Sequence, residues 1–213
     1  MDYTVIYLYA FLSYLTGSFP SAVWFGKLFC RIDVRKFGSG NAGATNTFRV
    51  LGKRIGALVL FFDILKGWIS VNYVTLISQG INNDFISTSL YFELQLLFGF
   101  FAVIGHLFPL FARFRGGKGV ATILGLLLAI QPIVALLSLV IFIIVFFIFR
   151  YVSLASIIAS ISFTIFIYIF SQVDNRSLEI FAIFVPLLTL ITHSKNIKRL
   201  VQGEETKVKF EKK

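Results

Sequence analysis

The sequence predicts an all-α integral membrane protein of seven transmembrane helices, with its N-terminus outside and its C-terminus in the cytoplasm. Three observations lead there. Of 213 residues, 57% are hydrophobic and only 14% charged, more apolar surface than a soluble domain of this size hides. The apolar residues gather in six runs divided by short polar segments. Lys and Arg crowd some of those segments and avoid others, which distinguishes cytoplasmic from outer loops.

The first run, Thr4–Phe25, has no Lys or Arg before Lys27, so it lacks the basic start of a signal peptide and reads as a retained helix. Segment Lys27–Arg54 then carries seven basic residues. Runs Ile55–Ser78 and Leu90–Phe111 follow, joined by Gln79–Glu93, which has none. Arg113, Arg115 and Lys118 form a further basic group ahead of the run Val120–Phe149. That run is too long for one span of about 20 residues, and Gln131-Pro132 interrupts it. If it crosses twice, turning at Gln131-Pro132, then Arg150 and the seven basic residues of His193–Lys213 share a side with the other basic segments. The fourth helix is then only about 13 residues, roughly 20 Å, so the loop Arg113–Gly119 dips into the membrane. Backbone at that depth is tolerated only under protein or water, which favours a site there. Runs Ser153–Phe170 and Leu178–Ile191 complete the seven. With no linker, low-complexity stretch or repeat, residues 1–213 read as one domain ending in a polar cytoplasmic tail at about 203–213.

Composition also excludes functions. The net charge of +10 suggests nucleic acid, but its confinement to loops between apolar runs argues for membrane topology instead. Cys30 is the only cysteine, so neither an internal disulfide nor a cysteine zinc site is available.

Carboxylates are missing wherever glycine, hydroxyl and basic residues cluster. Neither Val34–Phe62 nor Leu94–Val173 contains an Asp or Glu. A nearby carboxylate would repel a phosphate, whereas a magnesium or calcium site requires carboxylates, so the pattern predicts a metal-free phosphate site. In the first stretch, Gly38, Gly40 and Gly43 match the dinucleotide fingerprint by letter, but no strand precedes them and the Rossmann reading fails. The local physics survives. Glycines bring backbone N–H groups close to an anion, a following helix points its positive end there, and Ser39, Asn41, Thr45, Asn46 and Arg49 add donors. A plain polar loop is the bland alternative. Gly116-Gly117-Lys118-Gly119 before a helix is a second such cluster, although its spacing is not that of a P-loop. Lys118 is the candidate phosphate ligand, while Arg113 and Arg115 read as topological charges. His106 suits a site role and an interfacial one equally. His193 and Asn196, three apart, share a helical face at the end of the last run, and Ser153 could be a plain helix N-cap. Asp63 and Lys66, the opposite-charge pair inside a run, read as a structural pair.

Four motifs, in order over nearly the whole chain, carry a family resemblance. They are Gly38-Ser39-Gly40-Asn41-Ala42-Gly43-Ala44-Thr45-Asn46; Gly105-His106 with Pro109 and Gly116-Gly117-Lys118-Gly119-Val120-Ala121-Thr122; Tyr151-Val152-Ser153; and His193 with Asn196-Ile197 and Arg199-Leu200. The chain resembles the bacterial acyl-phosphate:glycerol-3-phosphate acyltransferases. The resemblance implies a bacterial cytoplasmic (inner) membrane enzyme, its active site facing the cytoplasm, that moves a fatty acyl group from acyl phosphate to the 1-hydroxyl of sn-glycerol 3-phosphate. The products are 1-acyl-sn-glycerol 3-phosphate and phosphate, at the first step of phospholipid biosynthesis. It implies Ser39, His193 and Asn196 as catalytic, and Gly38, Gly40, Asn41, Thr45, Asn46, Arg49, Gly116, Gly117, Lys118 and Ser153 as substrate-binding. Expected partners are the two substrates and membrane lipids, with no nucleic acid, no obligate protein partner, no metal and no cofactor. The departure from the family is a longer tail, Gly203 to Lys213, expected to leave the chemistry untouched.

Acyl phosphate is a mixed anhydride with a good leaving group, so no covalent enzyme nucleophile is required. The pattern of other glycerophosphate acyltransferases, His followed five positions on by Asp, is not supplied by His106 or His193. With no acid beside it in sequence, His193 shares the candidacy for general base with a substrate phosphate oxygen. The rival reading is a transporter of a phosphorylated solute. Against it, the chain shows no paired repeats and no matched broken helices in two halves.

Overall fold

The computed structural model describes residues 3–80, 88–170 and 176–208 and is all-helical there. Among the described residues nine α-helices run in order: α1 Tyr3–Gly17, α2 Ser21–Cys30, α3 Ala44–Gly80, α4 Thr88–Leu107, α5 Val120–Ile130, α6 Pro132–Phe149, α7 Val152–Phe170, α8 Arg176–Thr192 and α9 Ser194–Val201. Short 3₁₀ turns at Val34–Lys36 and Leu110–Ala112 shape the two loops of interest. The chain divides into two compact units, Met1–Ile130 and Gln131–Lys213.

The expected seven transmembrane helices are not what forms. Among the described residues, four helical stretches are long and apolar enough to cross a bilayer: Ala44–Ser78, Ser89–Ala112, Pro132–Phe149 and Val152–Phe170. The pair α8 and α9, bent by 65°, makes a fifth if it counts as one span. Two local breaks explain the correction. The run Thr4–Phe25 is not one helix, because the chain leaves helical geometry at Ser18-Phe19 and Pro20 has no N–H to continue the ladder. That leaves α1 at 15 residues and α2 at 10. The break at Gln131-Pro132 falls where expected, but it leaves α5 with 11 residues, roughly 16 Å against a hydrocarbon core of about 30 Å. The orientation of the termini rested on an odd number of crossings, so it lapses with the count. Residues 81–87 of the Gln79–Glu93 segment lie outside the described residues, as do residues 171–175 and tail residues 209–213.

In the first unit, α3 packs against α1, α2, α4 and α5, and α1 lies along α4. Glycines set the closest approach. A Cβ on Gly67 would run into the Thr122 carbonyl, and one on Gly125 into that of Ile64, so α3 and α5 meet backbone to backbone. Small residues at helix contacts are how membrane helices associate where lipid is as apolar as the side chains. Ala10, Val74, Ile77, Leu94 and Phe98 fill one core between α1, α3 and α4. In the second unit, α7 lies between α6 and α8, and α9 packs on α7 and α8. The outward residues of α6 and α7, such as Ile133, Phe147, Ile148 and Ile169, are large, apolar and exposed, as a lipid-facing surface requires. Helix α3 changes direction at Gly52, whose φ of 83° is open to glycine at little cost.

Candidate functional site

The first glycine loop is built from a tight turn and one buried amide. Asp33 caps the 3₁₀ turn by accepting from the Arg35 N–H at 3.1 Å, and Arg35 closes an ion pair with it at 2.8 Å. The Arg35 guanidinium beside it holds the Asp33 carboxyl well down, to about 2. Arg35 also donates to the Ala112 carbonyl at 2.8 Å, linking this loop to the start of the second. Gly38 and Gly40 follow with φ of 60° and 72°, left-handed values that side chains resist. Asn46, 1% exposed at the start of α3, ties the loop from inside. Its Nδ2 donates to the carbonyls of Val34, Phe37 and Asn41 at 3.0, 3.1 and 3.1 Å, and its Oδ1 accepts from the Ser39 N–H at 2.9 Å. Asn46 therefore shapes the loop, rather than offering the loose donor that sequence spacing suggests. Two of the loop's N–H groups are also spent internally, that of Ser39 on Asn46 and that of Gly40 on the Phe37 carbonyl at 3.0 Å. Ser39, Thr45 and Arg49 are exposed and Asn41 is half-buried.

The second loop, Gly116–Gly119, folds back on the end of α4. The Gly117 N–H donates to the His106 carbonyl at 3.2 Å. A Cβ on Gly116 would collide with that carbonyl, and one on Gly117 with His106 Nε2. The same Gly117 Cβ would lie 3.1 Å from the Ala42 carbonyl, so the two glycine loops meet at the His106 ring. Lys118 is half-buried, two residues before α5 begins. Arg113 and Arg115 are exposed, in keeping with the bland reading of both.

Beneath this meeting point lies a buried polar cluster. Asp63 Oδ1 accepts from Ser21 Oγ at 2.7 Å and pairs with Lys66 Nζ at 2.8 Å, and His106 Nδ1 stands 3.6 Å away. Lys66 also donates to the Phe19 carbonyl at 3.1 Å. Asp63, Lys66 and His106 are 1%, 5% and 5% exposed. A small pocket is lined by Ser21, Asp63, Lys66, His106, Gly116 and Gly117. The pairing of Asp63 with Lys66 is as expected, but its extension to Ser21 and His106 joins residues 21 to 106 and has no local sequence signal.

The second unit carries the remaining predicted residues. Ser153 Oγ donates to Glu205 Oε1 at 2.8 Å, and Asn196 Nδ2 donates to the same oxygen at 2.7 Å. Arg199 Nε donates to Glu205 Oε2 at 2.8 Å. Burial would raise the Glu205 carboxyl, but the hydrogen bonds from Asn196, Ser153 and Arg199 outweigh it and hold the group below the usual range. His193, 2% exposed, places Nδ1 2.9 Å from the Thr189 carbonyl. A carbonyl only accepts, so this contact puts a hydrogen on Nδ1 and fixes the orientation of the ring. The orienting group that sequence reasoning could not find for His193 is thus a backbone carbonyl one turn earlier.

Glu205 is the residue that sequence reading missed. It lies in the tail expected to leave the chemistry untouched, yet it bonds two predicted site residues. The available signal was Gly203-Glu204-Glu205 directly after the basic residues of α9, two of only ten acids in the chain. Among the described residues no group of His, Cys, Asp and Glu is placed to hold a metal ion.

Comparison with known proteins fits this geometry. A family model described as Glycerol-3-phosphate acyltransferase matches residues 7–203. Glycerol-3-phosphate acyltransferases of Staphylococcus aureus strains Newman and USA300 are each 45% identical over 199 residues, covering 93% of this chain and 96% of theirs. Two crystal structures of PlsY (YgiH), an integral membrane glycerol 3-phosphate acyltransferase, superpose on the chain at 36% identity and 96% coverage of both chains. The TM-scores are 0.81 for its glycerol 3-phosphate form and 0.80 for its lysophosphatidic acid form. The chain is a multi-pass bacterial inner-membrane protein and an acyltransferase enzyme. Over almost its full length, the chain belongs to the glycerol-3-phosphate acyltransferase family.

Proposed function

We propose that this acyltransferase moves a fatty acyl group from acyl phosphate to the 1-hydroxyl of sn-glycerol 3-phosphate, releasing inorganic phosphate and 1-acyl-sn-glycerol 3-phosphate. One observation carries the reading. Two glycine loops without an Asp or Glu converge at His106, and Lys118 stands beside them at the start of α5. Both substrates bear phosphate, and such loops at a helix start favour anions. The nearest buried carboxylate, Asp63, is neutralised by Lys66 at 2.8 Å and does not spoil that field. The relatives add that proteins of this kind act on glycerol 3-phosphate, one of them having been crystallised with it and in a lysophosphatidic acid form.

In this reading Lys118 and Arg49 neutralise substrate phosphates, and Gly38, Gly40, Asn41, Thr45, Gly116 and Gly117 line the approach of those anions. Ser39, His193 and Asn196 take part in the transfer, with Ser153 binding substrate. The donor is already activated, so catalysis is positioning plus charge stabilisation on the carbonyl oxygen and the departing phosphate. His193, its ring oriented by the Thr189 carbonyl, is the side-chain candidate to take the hydroxyl proton, which a substrate phosphate oxygen could take instead. Purified protein in detergent should release one phosphate per acylglycerol phosphate formed from acyl phosphate with excess EDTA present, and give little product from acyl-CoA. Robust turnover with acyl-CoA, or loss with EDTA that added metal restores, would sink the donor and the metal-free mechanism. Turnover without two compartments also separates an enzyme from a transporter.

The site faces the cytoplasm in this reading, because basic residues flank both glycine loops. A cysteine replacing exposed Lys53 or Arg113, in a Cys30→Ser background, should escape impermeant thiol reagents on intact cells. Labelling at both positions from outside would reverse the assignment.

A further inference from the structure

The geometry points to His106 as a positioning residue that sets the height and angle of the Gly116–Lys118 loop, its ring confined by burial beside Asp63. The inference rests on the reading that Lys118 binds a substrate phosphate. Four observations support it, all within the first unit. The loop is bonded to the backbone of residue 106, through the Gly117 N–H and the His106 carbonyl at 3.2 Å. The loop also lies directly on the ring, since even one added carbon on Gly117 would collide with Nε2. The ring has little room to turn away, because the side chain is 5% exposed, with Nδ1 3.6 Å from Asp63, just beyond hydrogen-bond distance. Asp63 is itself pinned from two sides, by Ser21 at 2.7 Å and Lys66 at 2.8 Å.

This arrangement explains an otherwise costly feature. Asp63 and Lys66 are ionisable groups buried within a span, where such groups are expensive and generally serve a purpose. Their chemistry is directed at holding, since Lys66 also secures the Phe19 carbonyl and Ser21 begins α2. One carboxylate thereby joins the start of α2, the middle of α3 and the end of α4. The imidazole carries that fixed point up to the glycine loop. A flat, rigid ring suits the task, because glycines lack the side chains that would otherwise set their spacing from a neighbour. The Ala42 carbonyl at 3.1 Å from the same Gly117 Cβ position brings the first loop to the same reference plane. His106 need touch no substrate to matter, since the place of Lys118 against its phosphate follows the place of the loop that carries it.

The test separates positioning from general scaffolding. His106→Ala, His106→Gln and Lys118→Ala should be purified in detergent, checked for monodispersity and thermal unfolding, and assayed by phosphate release with each substrate varied in turn. His106→Ala should raise KM for the same phosphate substrate whose KM rises in Lys118→Ala, by about tenfold or more, with the other KM nearly unchanged. His106→Gln, whose amide can lie under Gly117 and donate to Asp63, should recover most of that loss. A fall in kcat with both KM values unchanged would show only a loss of active protein and overturn the inference. So would Gln behaving like Ala. If His106→Ala proves too unstable to assay, His106→Gln against wild type, and Gly117→Ala with and without His106→Gln, read the same contact. The added methyl should be tolerated better once the ring is gone, and an additive pair would overturn the proposal. If Lys118→Ala itself shifts neither KM nor kcat, the assignment of Lys118 fails and this inference with it. A normal Lys118 phenotype beside unchanged KM values in His106→Ala sinks the inference alone.

Discussion

Asn46 and Glu205 each hold several segments of chain from a single polar head, but one head is an amide and the other a carboxylate. Asn46 makes three bonds as donor and one as acceptor, and brings no charge to the loop Gly38–Gly43. Glu205 accepts from Ser153, Asn196 and Arg199, and its negative charge is compensated by Arg199 at 2.8 Å. The difference lies in what each leaves for a ligand. A neutral tie preserves the positive field of Arg49, Lys53, Arg54 and Lys118, whereas a carboxylate tie consumes donors and cancels a cation. The first region thus keeps its cations uncompensated by the tie, as the proposed anion site requires. The second is organised to fix Ser153 and Asn196 in place, at the cost of one donor bond from each.

The comparison is broken most directly at Lys118. On the proposal that Lys118 neutralises a substrate phosphate, its removal takes a charge-assisted contact from a partly dry site and should cost about 2–4 kcal/mol, or roughly 30- to 1000-fold in kcat/KM. Arg115→Ala, at an exposed position of the same basic segment, should stay within about twofold of wild type. Equal kcat/KM values for the two variants, in folded protein, would remove the first region from the binding site.

Asn46→Asp sharpens it further, because it turns the neutral tie into a charged one at nearly constant shape. The Nδ2 donor that serves three carbonyls becomes an acceptor facing them, and a negative charge enters the glycine loop. Lost bonds and unsatisfied carbonyls should cost about 2–3 kcal/mol of stability, read as a lower midpoint of thermal unfolding in detergent. KM for a phosphate substrate should rise as well. An Asn46→Asp protein with unchanged midpoint and unchanged KM would show that the amide does not hold the loop.

The contrast between these ties also marks what was legible in sequence. Acid-free stretches and the glycine motifs sit on the chain in order, so the loop at 38–46 and Lys118 could be read directly. The break at Gln131-Pro132 was visible for the same reason, since proline acts on its own helix. Pro20 was equally visible, yet Thr4–Phe25 passed for one span, and that error together with counting the 11-residue α5 as a crossing carried the helix count to seven. What remained hidden depends on distant partners. Ser21 reaches Asp63 across 42 residues, and Glu205 reaches Ser153 across 52. Neither pairing leaves a periodic or local mark. Asn46 shows a subtler failure, for its residue type suggested a donor to ligand while burial turned it into a donor to carbonyls.

The smallest expected effect is at Glu205, where pH supplies the sign. Arg199 is 40% exposed, so solvent screens this pair, and Glu205→Gln should lower stability by only about 1 kcal/mol at neutral pH. The amide can still accept from Ser153 and Asn196, but its NH₂ faces Arg199 in place of a carboxylate oxygen. In the folded protein the carboxyl sits below its ordinary value of 4.5, because three donors favour the charged form more than burial opposes it. A depressed folded value means that the unfolded chain takes up the proton first as pH falls. The stabilisation is therefore complete above about pH 4.5 and is lost as acid carries the group down through its folded value. Thermal midpoints of wild type and Glu205→Gln, measured from pH 7 down to about pH 3, should differ at the top of that range and converge at the bottom. A gap that stays constant would assign the difference to packing of the amide. A gap that widens in acid would reverse the sign and remove the charged tie from the account of this region.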